Sequence, residues 1–356
     1  MRRTMSRLSL ILVAAIVAIL TLWGSLALWF RLPAEEFGKG LSAGLFGLLG
    51  LVTILALFGR YRRHTLAAYV VAFAGLVLWW STIKPPAEGN WAPDVARQVT
   101  GTIDGDLLTL TGVRDFQWRS ETDATENWVT RRYDLAKLQS LDLFMSYWAG
   151  PEMAHVILSF GFEDGEYLAW SIEVRRRVGG AFSPIADLFK SNPLVIIAAD
   201  ERDVVGLRSN MRREDVQLYR LNVAPAAARA LLTEYVEDAN NLAAQPRFYN
   251  SLTTNCTTTI WKMMRALGDV VPFDWRLIVN GYLPEYAYNR GALTSGLSLQ
   301  ALKSAAHIDE RAQAVGLTSS DFSRAIRVDV PSPAKGTPSA AGQAAGFTVA
   351  WNFDIR

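Results

Sequence analysis

Cysteine is all but absent from this chain: Cys256 is the single one among 356 residues. An internal disulfide is therefore impossible, which removes the usual reason for a cysteine in an oxidising compartment. Histidine is nearly as scarce, with His64, His155 and His307 the whole supply. No metal-ligand spacing, glycine-rich phosphate loop or nucleotide motif is present, so neither a metal nor an organic cofactor is expected. Nor does one sign of charge dominate, since 36 basic residues stand against 34 acidic ones. Setting aside Arg2, Arg3, Arg7, Arg60, Arg62 and Arg63 leaves 30 against 34, and nothing resembles the basic face that nucleic acid requires. There is no internal repeat.

Charge is missing altogether from three stretches, residues 8–30, 41–58 and 65–83. Each is long enough to cross about 30 Å of hydrocarbon as a helix, and a cleaved leader would account for the first alone. They define a membrane anchor over residues 1–85. The arginines at 2, 3 and 7 and at 60, 62 and 63 put the N-terminus in the cytoplasm and everything after Lys84 on the outer, periplasmic side of an inner membrane. Trp23, Trp29, Trp79 and Trp80 fall near the outer faces as an aromatic belt would. Gly40, Gly44, Gly47 and Gly50 form a small-residue stripe suited to packing against a neighbouring helix. Residues 86–320 suffice for one domain with its own core, and 330–356 read as a Pro/Ala/Gly/Ser-rich linker and tail. The last ten residues suit either a short returning strand or a disordered end.

The outer domain alternates strand and helix signals, which gives the fold class α+β. Asp134 opens a helical pattern through Leu135, Leu138, Leu141 and Phe144. Residues 154–162 and 166–174 then alternate apolar and polar around Glu163-Asp164-Gly165, the pattern of a hairpin. A two-residue turn would set apolar residues opposite polar ones. A three-residue turn with Gly165 left-handed pairs Leu158 with Trp170 and Val156 with Ile172, so the buried face selects it. In that register His155 stands opposite Glu173, with Cβ atoms roughly 5 Å apart. A carboxylate there can orient an imidazole and stabilise its charged form. On an arbitrary hairpin the same pair would be an ordinary surface contact.

Cys256 follows the polar run Asn250-Ser251-Leu252-Thr253-Thr254-Asn255 and precedes Ile260, Met263, Met264 and Leu267 at helical spacing. The sulfur therefore sits in a first helical turn, where free amides and the helix dipole favour thiolate over thiol. A small buried apolar residue is the plain alternative. Asn255 is placed to cap the helix or to help bind an oxyanion, and the Cys256 amide is a further oxyanion donor. Tyr147, Trp148, Tyr249, Trp261, Trp275, Tyr282, Tyr286 and Tyr288 flank the candidate segments, as core or as the lining of an acyl groove. Arg175, Arg176 and Arg177 suit a solvated strand end or a lipid-phosphate contact, and Glu201 and Asp203 flank Arg202 as for local ion pairs.

A histidine on one strand, a polar residue on the next, and Asn-Cys opening a helix about a hundred residues later resemble the circularly permuted papain-like enzymes, which include NlpC-type relatives. More closely, Arg114-Asp115-Phe116, Arg132-Tyr133-Asp134-Leu135, the His155 strand, Ser171-Ile172-Glu173-Val174-Arg175, Glu201-Arg202-Asp203 with Leu207-Arg208, and Tyr249-Asn250 with Asn255-Cys256 look like the N-terminal periplasmic domain of the Lnb-type lipoprotein N-acyltransferases. The resemblance implies a permuted papain-like fold and a thiol acyltransferase with Cys256, His155 and Glu173 catalytic and Asn255 and Tyr249 beside them. Its acyl donor would be a membrane phospholipid, and its acceptor a lipoprotein N-terminus or an envelope peptide. In Lnb the membrane helices follow the domain, whereas here three precede it, so the acceptor does not transfer with the motifs. His307 competes with His155 as base because it follows Cys256 in chain order, as in papain; His155 is preferred because that base comes from a strand. A cysteine peptidase or amidase, and a non-catalytic anchored module, are the rival readings. Reporter fusions placed after Lys84 are expected to read outside the cytoplasm, and a cytoplasmic signal there would overturn the topology.

Overall fold

The computed structural model describes residues 6–266 and 271–333, and these divide into two compact units. One comprises the described residues up to Glu88 together with Ala181–Pro193 and Arg247–Ser251. The other comprises Gly89–Gly180, Leu194–Pro246 and the described residues from Leu252 onward.

The first unit is built on α1 (Arg7–Arg31), α2 (Glu36–Ala56) and α3 (Arg62–Thr82), each long and apolar enough to cross a membrane. Ser6 caps α1 by accepting from the Ser9 amide at 3.2 Å. Close approach depends on absent side chains. A Cβ at Gly24 would lie 2.5 Å from the Phe46 ring, and one at Gly50 would collide with Thr21. The glycine stripe of α2 faces α1, with Trp29, Ser25 and Thr21 above Gly40, Gly47 and Gly50. Within the bundle Thr21 Oγ1 and Tyr69 OH are hydrogen bonded at 3.0 Å, giving two polar groups a partner where water is excluded.

The second unit is an α+β domain on a mixed sheet. Its strands are β1 (Thr100–Asp104), β2 (Leu107–Arg114), β3 (Gln117–Trp118), β4 (Ala124–Thr125), β5 (Trp128–Asp134), β6 (Leu138–Tyr147), β7 (Ala154–Phe162), β8 (Tyr167–Val174), β9 (Leu194–Ala199) and β10 (Asp215–Arg220). The sheet runs β1-β2-β9-β8-β7-β6-β10, with β5 also on β2 and β3-β4 a separate ribbon. Its helices are α4 (Glu201–Gly206), α5 (Pro225–Ala244), α6 (Cys256–Ala266), α7 (Leu283–Asn289), α8 (Leu299–Ala306), α9 (Asp309–Val315) and α10 (Phe322–Ala325).

The β7–β8 hairpin takes the three-residue turn. Gly165 is left-handed at φ 85°, and Leu158 pairs with Trp170 and Phe160 with Leu168. Both faces of the sheet are nevertheless buried, where alternation had suggested only one. Tyr235 of α5 meets Trp170 at 5.2 Å and Phe160 at 6.2 Å on one side. On the other, Val204, Val205, Ile308, Ala312, Phe322 and Ile326 cover Phe144, Ile157, Ala169 and Ile197. This double cover also explains one misreading. The segment after Asp134 is not a helix but a three-residue 3₁₀ turn, Leu135–Lys137, followed by β6. Leu141, Asp142, Leu143, Phe144 and Met145 are all buried, and a strand covered on both sides loses the alternation that identifies it.

The helical cover carries charge into this face, and each charge meets a distant partner. Asp203 accepts from Arg114 Nε at 2.9 Å, the Phe116 amide at 2.9 Å and Trp118 Nε1 at 2.7 Å. Glu201 accepts from Arg327 and from Ser159 at 2.5 Å, and Arg327 also reaches Asp142 at 2.8 Å. Arg202 pairs with Asp115 at 2.9 Å. The local pairing expected for Glu201-Arg202-Asp203 is thus replaced by long-range pairing, because successive residues of α4 point in different directions. Residues 334–356, most of the expected linker and tail, lie outside the described residues, as does Leu267. Asp203→Ala is expected to lower the domain's unfolding free energy by about 3–5 kcal/mol, since it leaves the Arg114 charge buried and unpaired. Denaturant titration of the variant beside Asp203→Asn checks it, and equal stability of Asp203→Ala and wild type would contradict it.

Candidate active site

Two neighbouring strands and a helix end converge on one cluster. β7 supplies His155, and β8 supplies Ser171 and Glu173 on the same face. The register that joins Ile157 to Ser171 sets His155 opposite Glu173. Their contact is direct, with His155 Nε2 3.1 Å from Glu173 Oε1. Ser171 completes a small ring, lying 2.7 Å from Nε2 and donating to Glu173 Oε1 at 2.7 Å. The same carboxylate oxygen accepts from Arg208 Nη2 at 2.8 Å. Arg208 is delivered by a π-helical turn, Leu207–Met211, that continues α4, a distortion often found where a helix must aim a side chain.

Cys256 comes from the first residue of α6. Its position is set by Asn255, whose Oδ1 accepts from the amides of Thr257 and Thr258 at 3.0 and 2.8 Å, while its own amide donates to Thr258 Oγ1 at 3.0 Å. Asn255 is thus the helix cap, the first of its two expected roles. The sulfur is buried, 5% exposed, and is hydrogen bonded to His155. A further neighbour is Asn280, which begins the 3₁₀ turn Asn280–Tyr282. Its Nδ2 lies 3.5 Å from Sγ and 3.0 Å from Thr257 Oγ1, and its Oδ1 accepts from the Ala154 amide at 3.0 Å. Both ends of that amide are held, so the N–H group stays aimed at the sulfur.

The electrostatics follow from these contacts. Burial alone would raise the thiol pKa, but the His155 hydrogen bond and charge, with the Val156 amide and Thr257 hydroxyl, outweigh it and lower the thiol below its ordinary range. Burial likewise opposes protonation of His155, and Arg208 adds to that; the Glu173 carboxylate and the hydrogen bonds to Cys256 and Glu173 reverse the sign and raise it. Glu173, which burial would neutralise, is held well below the usual carboxylate range by His155 and Arg208. A raised imidazole beside a lowered thiol favours the thiolate–imidazolium pair, the nucleophilic form of a thiol enzyme.

Three members of this cluster were given no role from the sequence. Ser171 was within reach, being two residues before Glu173 and so on the same strand face. Arg208 stands in the sequence only as part of the Lnb-like motifs and Asn280 not at all, because only the tertiary fold brings them to β8 and to α6. The remaining expected residues have partners of their own. Tyr249 belongs to the helical unit, its ring edge-on to Phe182 at 6.3 Å. His307 does not meet Cys256; its Nδ1 pairs with Asp215 Oδ1 at 2.7 Å, because an isolated bridge with Gln217 ties it to the edge strand β10. Arg176 pairs with Asp94 at 2.8 Å and Arg175 donates to the Ala96 carbonyl at 2.6 Å, so the arginine run is engaged within the domain. Trp148 and Trp275 are exposed at 46% and 57%, whereas Tyr286 is buried.

Among the described residues, Asp215, His307 and Asp309 are the group that could hold a metal, with ligand atoms within 4.8 Å of one another. All three have protein partners: the His307–Asp215 pair, Gln217 on Asp215, and the Val216 amide on Asp309. Asp215 and His307 also line an open cavity of about 820 Å³, together with Tyr147, Trp148, Arg212 and Lys303. None of Cys256, His155 and Glu173 lines that cavity.

Fold and cluster together define an anchored α+β domain that holds a buried cysteine beside a partly buried histidine and glutamate in hydrogen-bonded sequence. Residues 124–281 match the family model of the Lnb N-terminal periplasmic domain. Every member of the cluster, from His155 to Asn280, falls inside the matched segment, and the three apolar helices lie before it. Neither a curated protein nor a solved structure matches the chain. Because Cys256 is the only thiol, thiolate absorbance near 240 nm measured against Cys256→Ser reports this group alone. It is expected to appear below the ordinary thiol range. Glu173→Gln removes the charge that raises His155, so the thiolate titration is expected to move to higher pH; an unmoved titration would break the proposed coupling.

Proposed function

We propose that this protein is a membrane-anchored periplasmic thiol acyltransferase working through an acyl thioester on Cys256. The observation that carries the reading is a single buried thiol, lowered in pKa by a histidine that a partly buried, arginine-clamped glutamate supports, on a domain joined to three membrane-length helices. The match to the Lnb periplasmic domain supports the class, and the order of strand histidine and helix-borne cysteine supports a permuted papain-like arrangement.

In this mechanism the Cys256 thiolate attacks an ester carbonyl of a phospholipid. The carbonyl oxygen gains charge, facing the Cys256 amide and Asn280 Nδ2 as donors. The C–O bond breaks, and the lysophospholipid alkoxide leaves with a proton from His155. An amine, in the favoured case the N-terminal amine of a lipoprotein, then attacks the thioester. His155 takes the amine proton, the C–S bond breaks, and the thiolate returns. Glu173 stays ionised and keeps the imidazole oriented, while Arg208 and Ser171 hold Glu173. Burial of the sulfur supports transfer over hydrolysis, since a thioester shielded from water survives until the amine arrives.

Incubation with phospholipid is expected to add one acyl mass to the intact protein, removable by neutral hydroxylamine. Cys256→Ser should nearly abolish the adduct, because a hydroxyl paired with this base is a far weaker nucleophile. Asn280→Ala should slow its formation by about a hundredfold, the cost of one oxyanion donor. Glu173→Gln should cost less than Cys256→Ser, as nucleophile and base both remain. No adduct on wild type, together with cleavage of envelope peptides by the same preparation, would replace transfer with hydrolysis.

A further inference from the structure

The helical unit contains two cations with no acid paired to them among the described residues. Arg31 ends α1, and Lys190 follows the 3₁₀ turn Ala186–Phe189. Both face one ring, with Arg31 Cζ 5.6 Å and Lys190 Nζ 5.8 Å from the Phe248 centroid. Lys190 also lies 4.7 Å from the Trp80 ring centre and donates to the carbonyls of Trp80 and Ile83 at 2.8 and 3.3 Å, closing the end of α3. Phe189 stacks on Phe30 at 5.4 Å and meets Trp80 edge-on at 6.4 Å, so the two charges sit in an aromatic collar.

Like charges brought together need a reason. Lys190 has its pKa lowered first by burial and then by the charge of Arg31, so the two repel across a short gap. No ion pair joins either of them to a carboxylate among the described residues. Asp187, the acid of the same segment, is fully buried and accepts from Asn192 Nδ2 at 2.8 Å. Arg31 Nε is buried without a hydrogen-bond partner, and Lys190 uses two protein acceptors where an ammonium has three donors. Lys190 is also held left-handed at φ 57°, a strained setting for a side chain with a Cβ. The protein thus spends conformational energy to place a second cation beside the first.

We propose that Arg31 and Lys190 form a binding site for the phosphate of a membrane phospholipid. Guanidinium offers a planar fork to two phosphate oxygens and the ammonium a further donor, while the aromatic collar accepts glycerol and the first methylenes of the chains. Arg31 closes a membrane-length helix and Lys190 caps another, so the cations lie at headgroup depth. This site rests on the reading of a phospholipid substrate and assigns a phospholipid headgroup to named residues of the helical unit.

The test is native mass spectrometry of the full chain in a non-ionic detergent, titrated with dihexanoylphosphatidylglycerol, with dihexanoylglycerol lacking the phosphate, and with inorganic phosphate. The phospholipid is expected to bind more tightly than either of the others. Arg31→Gln should weaken it by roughly ten- to a hundredfold, the weight of one or two charge-assisted contacts, and Arg31→Lys should restore part of the loss. Lys190→Gln should act in the same direction, with thermal melting confirming that both variants fold. Binding no tighter than inorganic phosphate would overturn the lipid assignment, and unchanged binding by folded Arg31→Gln would overturn the site. The two readings fail separately. An acyl adduct on Cys256 with lipid binding indifferent to Arg31 removes the headgroup site and leaves acyl transfer standing. Arg31-dependent binding without any adduct does the reverse.

Discussion

The arrangement around Cys256 depends on a carboxylate taken out of water. Glu173 sits on an interior sheet face with its side chain only 19% exposed, where an ionised group without partners would cost several kcal/mol. Its partners are therefore not optional. Arg208 compensates the charge, Ser171 fills a lone pair, and His155 is drawn in as the third neighbour. The imidazole becomes more basic as a result, and the thiol beside it more acidic. The chemistry available to Cys256 is thus decided on β8, two contacts away from the sulfur.

Much of the site was legible in the sequence because it is local in register. The pairing of His155 with Glu173 follows from apolar alternation and one glycine turn, two short-range signals that agree. The entry of Cys256 into a helix follows from Asn255 and the polar run before it. The contacts of Arg208 and Asn280 were not legible, although Arg208 stood among the Lnb-like motifs, since their partners lie 35 and 24 residues away and no spacing encodes that approach. β6 was misread for the opposite reason. Its sequence is periodic, but burial on both faces erased the alternation that separates strand from helix. The pairing of Glu201, Arg202 and Asp203 was misassigned because adjacency in sequence is not adjacency in space on a helix.

The two units answer to different solvents. In the helical unit, close contact is achieved by removing side chains, as at Gly24 and Gly50, and polar groups such as Thr21 and Tyr69 find each other within the bundle. In the α+β domain the interior is unusually ionic, with Asp142, Glu201 and Asp203 all fully buried and each met by an arginine. Such pairs contribute less to net stability than to uniqueness, since any other packing of the helical cover strands a charge.

Arg327 gives that last point a boundary. It lies beyond residue 281, where the family match ends, yet it is the residue that neutralises Glu201 and shares Asp142 with Arg220. Phe322 and Ile326, which close the same face, also lie outside the match. The packed domain is therefore larger than the matched segment. A chain cut at residue 281 would keep every member of the cysteine cluster and lose the cation under its sheet. Packing of this domain continues to Val330, well past the last matched residue.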